Sequence, residues 1–309
     1  MKYFYYFIIF ILIFFIGFII YKKPILSSEF LNNNYKDIDR ILQNYLERIN
    51  VDEIGFKTNY KISKYSSINQ IVEFYKNNIL EFSNHEKDLV NKHILFINSR
   101  TGDLPVLSKS NWKFMKLSSN IEKQMPFTLD DIIFLPVQML RSMENDARFI
   151  DNCDTLIHEK IHVIQRKYKK VFNQFYKKYL GAKYVKHLII SDKWKKHNLK
   201  NPDGLDVNWI YKFNGKYYLP MLIFDDEYGL EQRVIALKKV GKKYITTDYS
   251  KNAYDIFPDY PKFISVYHPN EITAYSIPKI ILNNKRLTTN LELITRKLIN
   301  NYLKNISII

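Results

Sequence analysis

His158, Glu159 and His162 stand in the order H-E-x-x-H within Thr155–Arg166, and on a helix that spacing can do chemistry. Residues four apart lie one above the other on one helix face, so both imidazoles can aim a ring nitrogen at a single metal ion. Glu159, one position on, sits beside such an ion and can take a proton from water held there, the arrangement of a zinc-dependent hydrolase. The surrounding sequence supports the helix. From Asp154 to Tyr179 the apolar residues Ile157, Ile161, Ile164, Tyr168, Phe172, Phe175 and Tyr179 recur at steps of three or four, which predicts an amphipathic helix of about seven turns. Asn152 or Asp154 can cap its start and Gly181 can end it. His158 and His162 fall beside the apolar stripe, with Gln165 continuing their face, a placement that suits ligands at the floor of a cleft.

The second chemical segment, Tyr267–Ser276, lies far downstream. Pro269 and Asn270 stop an extended stretch, and Glu271, Ile272, Ala274 and Tyr275 begin a short helix expected to end before Pro278. A zinc site built on two histidines needs at least one further protein ligand and keeps a position open for water. Here the sequence resembles the gluzincins, zinc peptidases in which a Glu on a later helix completes H-E-x-x-H, often within an N-E-x-x-A-like run. The matching run is Asn270-Glu271-Ile272-Thr273-Ala274. The resemblance covers these two helices and the strand before the first. It implies a single zinc ion held by His158, His162 and Glu271, with Glu159 as general base and a peptide or protein as substrate.

From His162 to Glu271 is 109 residues, more than the few turns common in that family, so a folded insertion must separate the two ligand helices. No third histidine follows at metzincin spacing. His187, His197 and His268 lie downstream, and His268, three residues before Glu271, is the alternative third ligand. Its ordinary role would be a hydrogen bond in the turn made by Pro269. Tyr267, His268 and Tyr275 flank Glu271 and are candidate donors to the oxyanion of a peptide-cleavage transition state. Arg166 is expected to pair with a nearby carboxylate.

The elements that must position these groups are legible in outline. Helical periodicity is read near residues 35–49, 66–82 and 85–98, and Thr101-Gly102-Asp103 breaks it. Residues 112–117 alternate and 131–135 form a short apolar run ending at Pro136. The resemblance makes them the sheet before the metal helix, with an edge for a bound peptide strand. Between the ligand helices the pattern turns to β. Residues 208–213 and 216–219 flank Asn214-Gly215, and residues 232–237 and 243–247 flank Gly241, giving two hairpins that form a wall or lid of the cleft. Residues 282–309 read as a helix with Leu291, Leu293, Ile294, Leu298 and Ile299 inward. The expected fold class is α+β: a zincin-like core of small sheet, active-site helix and third-ligand helix, with a β-hairpin insertion and a transmembrane helix in front. The segments are a 1–23 anchor, a 24–110 helical region beginning with a 24–34 linker, and a 111–309 catalytic region with its insertion at about 201–250.

Tyr3 to Tyr21 is an uncharged run of 19 residues, almost wholly Phe, Ile, Leu and Tyr, followed by Lys22 and Lys23. That length spans a hydrocarbon core of about 30 Å, and Ser27-Ser28 is a poor cleavage site, so the sequence predicts an uncleaved single-pass anchor held in the lipid bilayer. Lys2 and the amino terminus oppose Lys22 and Lys23, a tie that leaves the orientation undetermined. The net charge of +16 is spread through Lys-rich segments, and no nucleic-acid motif accompanies it, so no specific nucleic-acid partner is expected. Its Lys, Asn, Ile and Tyr content reads as AT-rich coding; with the anchor it is similar to that of proteins of large DNA viruses, implying a virion or host membrane. Cys153 is the sole cysteine, which excludes an intrachain disulfide. Two functions follow: a membrane-anchored zinc peptidase, or a catalytically inactive zincin-fold protein that binds or scaffolds at a membrane. The intact Glu159 favours the first.

Overall fold

Two β-sheets and the helices around them build an α+β fold, described here from a computed structural model over residues 28–58, 67–204, 208–225, 229–284 and 286–306. The first sheet contains β1 (Ser28–Leu31), β2 (Ile79–Leu80), β3 (Trp112–Leu117), β4 (Phe127–Leu129) and β5 (Ile132–Pro136). Its order is β1-β3-β5-β4, with β2 pairing the end of β3 that β1 leaves. β1 and β5 run parallel to β3, and β4 turns back antiparallel on β5. Side chains alternate across β5: Ile133 and Leu135 enter one core while Ile132 and Phe134 enter another. Both faces are therefore covered, which is why this strand reads as an unbroken apolar run.

Helices α1 (Ile38–Leu46), α2 (Val51–Thr58) and α3 (Ile68–Asn77) belong to the Ile132 and Phe134 side. Ser67 caps α3 through a reciprocal bond with Gln70, and Ser83 caps α4 (Asn84–Arg100) in the same way with Glu86. On the other face lie α4, α5 (Val137–Met143) and α6 (Phe149–Lys167), the last burying Leu156, Ile157, Ile161 and Ile164. The expected seven-turn helix is broken. It starts earlier, at Phe149, and leaves helical geometry at Tyr168 (φ −114°, ψ 37°) before resuming as α7 (Lys169–Tyr179). The bend sets Tyr176 edge-on against Trp209 at 5.6 Å and Phe175 against Tyr302 at 5.7 Å, so aromatic packing outweighs the local periodicity. Asn152 and Asp154 lie inside α6 rather than capping it. Asn152 bonds the Ser142 backbone at 3.0 Å, and Asp154 is ion-paired to Lys279.

The second sheet holds β6 (Ala182–Tyr184), β7 (Leu188–Ile189), β8 (Trp209–Phe213), β9 (Lys216–Asp225), β10 (Gly229–Val240) and β11 (Lys243–Asn252), in the order β6-β8-β9-β10-β11-β7. Asn214 and Gly215 both take positive φ, 47° and 76°, the two-residue turn that the Asn-Gly pair favours. The β-rich segment thus runs from residue 182 to 252, wider than the expected 201–250. α8 (Pro269–Leu282) follows, then α9 (Thr289–Leu298). α8 continues through Pro278 instead of stopping before it. Leu291 and Leu298 point inward as expected, whereas Leu293 is 56% exposed because it falls on the opposite face of α9.

The transmembrane part of the expected fold and the single-pass localisation are corrected. Among the described residues no helix is long and apolar enough to cross a membrane. The longest of these, α6, has 19 residues but carries Asp151, Asp154, Glu159, Lys160 and Arg166 along its length. Residues 3–21, on which the anchor and its bilayer contact were placed, lie outside the described residues. The expected linker is also revised, because Ser28–Leu31 pairs with β3 as a strand.

Lys160 is buried on the face of α6 turned away from the two histidines. Its ammonium bonds the Asn111 carbonyl and lies 5.1 Å from the centre of the Trp112 ring, and burial pushes its pKa down to about 7. An unfolded lysine titrates near ~10.4, so between these values the unfolded chain binds the extra proton and stability rises with pH. The cost is full at and below about pH 7 and fades as pH approaches the unfolded value. Lys160→Met is therefore expected to stabilise the protein by about 1–3 kcal/mol near ~pH 6.5, with a clearly smaller gain near ~pH 9.5. Urea denaturation at both values checks this, and an equal effect at both would show that the buried charge is not the cause.

Candidate metal centre

α6 and α8 cross with His158, His162 and Glu271 turned toward one another. The His158 and His162 Nε2 atoms are 2.9 Å apart. Glu271 Oε2 lies 3.5 Å from the first and Oε1 3.4 Å from the second. A tetrahedral zinc with ligand bonds near 2.0–2.1 Å would separate its donors by about 3.3 Å, so this cluster has the size of three corners of such a shell. Glu271 is therefore brought to the pair across the insertion.

The ring of neighbours fixes which nitrogen faces inward. Gln165 Nε2 donates to the Asn270 carbonyl at 2.8 Å and to Thr273 Oγ1 at 2.9 Å, which turns its oxygen toward His162 Nδ1 at 2.8 Å. That oxygen can only accept, so Nδ1 carries the proton and Nε2 presents a lone pair to the cluster. His158 is oriented by a bond to the Ala274 backbone. Pro278 has no N–H for the helical bond to the carbonyl four residues back, which leaves the Ala274 carbonyl available to this imidazole. Asp154 ties the same helix to α8 through Lys279 and bonds Asn284 at 2.8 Å.

The electrostatics favour a cation. Burial holds His158 well below the ordinary histidine range and pushes His162 down to about 3, so both imidazoles are neutral donors. Glu271 and Glu159 are raised well above the usual carboxylate range, first by burial and then by the nearby Asp203 charge. Glu159 Oε2 is buried without a hydrogen-bond partner. A buried orphan acceptor beside two neutral imidazoles and a second carboxylate is the donor set that a divalent metal and its water satisfy.

His158, Glu159 and Glu271 line a cleft of about 890 Å³ together with Asp203, Ser265, Tyr267 and Tyr275, while His162 lies buried behind them. The three oxyanion candidates separate. His268 caps α8 by accepting from the Asn270 N–H at 3.0 Å, a hydrogen bond in the turn at Pro269, and is not part of the ligand cluster. Tyr267 bonds Glu271 and receives the Asn201 amide at 2.5 Å. Tyr275 stands edge-on to His158 with ring centres 4.4 Å apart and bonds Ser265. His197 contacts the Phe224 carbonyl at 3.2 Å, and His187 is exposed.

Two polar residues in the cleft escaped the sequence reading. Asp203 accepts from the Thr128 N–H at 3.1 Å and pairs with Arg166 at 3.4 Å, the carboxylate expected for that arginine. Asn201 donates to Glu271 Oε1 at 2.8 Å. Both sit in Asn201-Pro202-Asp203-Gly204, whose composition signals only a turn. The two runs expected to form the sheet are its β3 and β5; the outer strands are β1 and β4, and Asp203 already occupies the Thr128 N–H of β4. Compared with known proteins, the chain matches no family model, no curated protein and no solved structure.

Proposed function

We propose that this chain is a zinc-dependent peptidase that hydrolyses peptide bonds. The observation that carries the reading is the convergence of the His158 and His162 Nε2 atoms with the Glu271 carboxylate, beside a buried and unpartnered Glu159 oxygen, on the wall of a large cleft. Zinc, when bound by His158, His162 and Glu271, supplies Lewis acidity and lowers the pKa of water to about 7. Glu159 takes the proton of the attacking water at Oε2 and passes it to the leaving amine nitrogen. Burial and the Asp203 charge raise its pKa, which makes its carboxylate a stronger proton acceptor than an exposed one.

Tyr275 is the group best placed to bond the substrate's carbonyl oxygen as negative charge develops there. Its pKa is raised to about 12 by burial and the neighbouring Glu271 charge, so it remains a phenol with a hydrogen to give. Ser265 can act as donor to the Tyr275 oxygen, leaving that hydrogen directed to the cleft. Tyr267 has its hydrogen committed to Glu271, and His268 has its ring committed to the α8 cap. Tyr275→Phe is expected to lower kcat by about 10–100-fold with KM changed less than threefold or so, because the lost bond forms only as charge develops. A KM effect alone would instead place Tyr275 in ground-state binding.

The test of the function is metal-dependent cleavage by the intact protein. It should hold about one zinc per chain, cleave a mixed quenched-fluorescence peptide library, lose activity to a zinc chelator and regain it on zinc return. Zinc held at full occupancy with no cleavage of any peptide would retire the peptidase reading in favour of a binding protein with the same centre.

A further inference from the structure

The insertion between the two ligand helices sends one side chain back into the metal cluster. Asn201 Nδ2 donates to Glu271 Oε1 at 2.8 Å and to the Tyr267 hydroxyl at 2.5 Å, while Tyr267 bonds the Glu271 carboxylate. The amide orientation is fixed by the chain itself. Asn201 Oδ1 accepts from the Asp203 backbone N–H at 3.0 Å, so the NH₂ end must face Glu271. The two amide hydrogens and the phenol hydrogen then close a triangle on one carboxylate.

The segment bearing Asn201 is anchored on both sides. Before it, the Leu199 N–H bonds the Leu222 carbonyl at 2.8 Å, the Lys200 N–H bonds Glu53 at 2.6 Å, and Lys57 bonds the Lys200 carbonyl at 2.6 Å. After it, Asn270 holds the Asp203 carbonyl at 2.9 Å. Gly204 abuts the His268 ring so closely that a Cβ there would come within 3.0 Å of Cγ. Such a segment behaves as a fixed post, and it delivers the amide from a different part of the chain than either ligand helix.

We propose that Asn201 and Tyr267 form a clamp on Glu271 that sets how its carboxylate faces the two histidines, with Asn201 as the positioning residue. This rests on the metal-centre reading above. A carboxylate on a free side chain can swing between one-oxygen and two-oxygen ligation. The Asn201 amide held on Oε1 occupies a lone pair there and favours ligation through Oε2, which leaves room in the shell for water. The long insertion thereby acquires a function: it completes the third ligand's surroundings.

Zinc affinity of the full chain, measured by competition with a chromophoric chelator, tests the clamp, together with visible spectra of the cobalt-loaded protein, whose band intensity reports coordination number. Asn201→Ala is expected to weaken zinc by about 10–100-fold and to change the cobalt band intensity. Tyr267→Phe, which removes one oxygen and little volume, is expected to weaken zinc severalfold in the same direction. If the wild-type protein binds no zinc, the metal centre fails and the clamp with it. If wild type binds zinc while both variants keep its affinity and cobalt spectrum, the clamp is overturned and the metal centre stands. Should Asn201→Ala fail to fold, Tyr267→Phe decides alone, and unchanged affinity and spectrum in that variant overturn the proposal.

Discussion

His158→Ala and His162→Ala are each expected to abolish tight zinc binding, whereas His268→Ala is expected to keep it. The first two remove a neutral imidazole whose Nε2 lies in the ligand cluster, and two remaining donors cannot hold the ion against solvent. His268 instead spends its ring on the α8 cap. Losing that cap costs about 1 kcal/mol of stability and leaves the ligands in place. The binding difference has a thermodynamic echo. A ligand at a thousand times its dissociation constant stabilises the folded state by ~4 kcal/mol, so zinc should raise the urea midpoint of wild type and of His268→Ala and leave the other two unmoved. Elemental analysis and urea curves with and without zinc measure both effects. Loss of zinc in His268→Ala would return that residue to the ligand shell and displace Glu271 from the role given to it.

What the sequence made legible was local, and what it hid was brought in by tertiary packing. The H-E-x-x-H pair could be read because four residues of helix place both imidazoles on one face, and Gln165 was visible as the next residue on that face. Its actual bonds, to His162 on one side and to Asn270 and Thr273 on the other, tie the two ligand helices together. Glu271 was reachable only through a resemblance, since nothing in the 108 residues between His162 and Glu271 signals that α8 returns to α6. Asn201 and Asp203 were invisible for the same reason, because a turn-like run carries no sign of what it will touch. The hairpin at Asn214-Gly215 was legible from its turn chemistry, while the break at Tyr168 was not, having neither proline nor glycine to mark it. The continuation of α8 through Pro278 ran against the usual punctuation, and the carbonyl it leaves open is where His158 docks. The anchor was read from an uncharged apolar run at residues 3–21 followed by Lys22 and Lys23; those residues lie outside the described ones, among which no helix is long and apolar enough to cross a membrane.

Glu159→Gln and Glu271→Gln make the same chemical change on two different helices of one site and are expected to fail in opposite ways. Glu159 is buried with Oε2 unpartnered and is absent from the ligand cluster, so its amide should leave zinc affinity within a few-fold of wild type. Hydrolysis should nevertheless fall by roughly 100-fold or more, the contribution typical of a positioned general base. Glu271 sits between both imidazole nitrogens at 3.4 and 3.5 Å, and a neutral amide is a poor substitute for a carboxylate on zinc. Its variant should lose zinc first, and recover part of its activity when zinc is supplied in excess. Added zinc should do nothing for Glu159→Gln. Titrating both variants with zinc while following peptide cleavage separates the roles, because the side chains lost are identical and only their places differ. Activity restored to Glu159→Gln by zinc would mean that Glu159 is a ligand rather than a base, and retention of full zinc affinity by Glu271→Gln would remove the carboxylate from the metal shell.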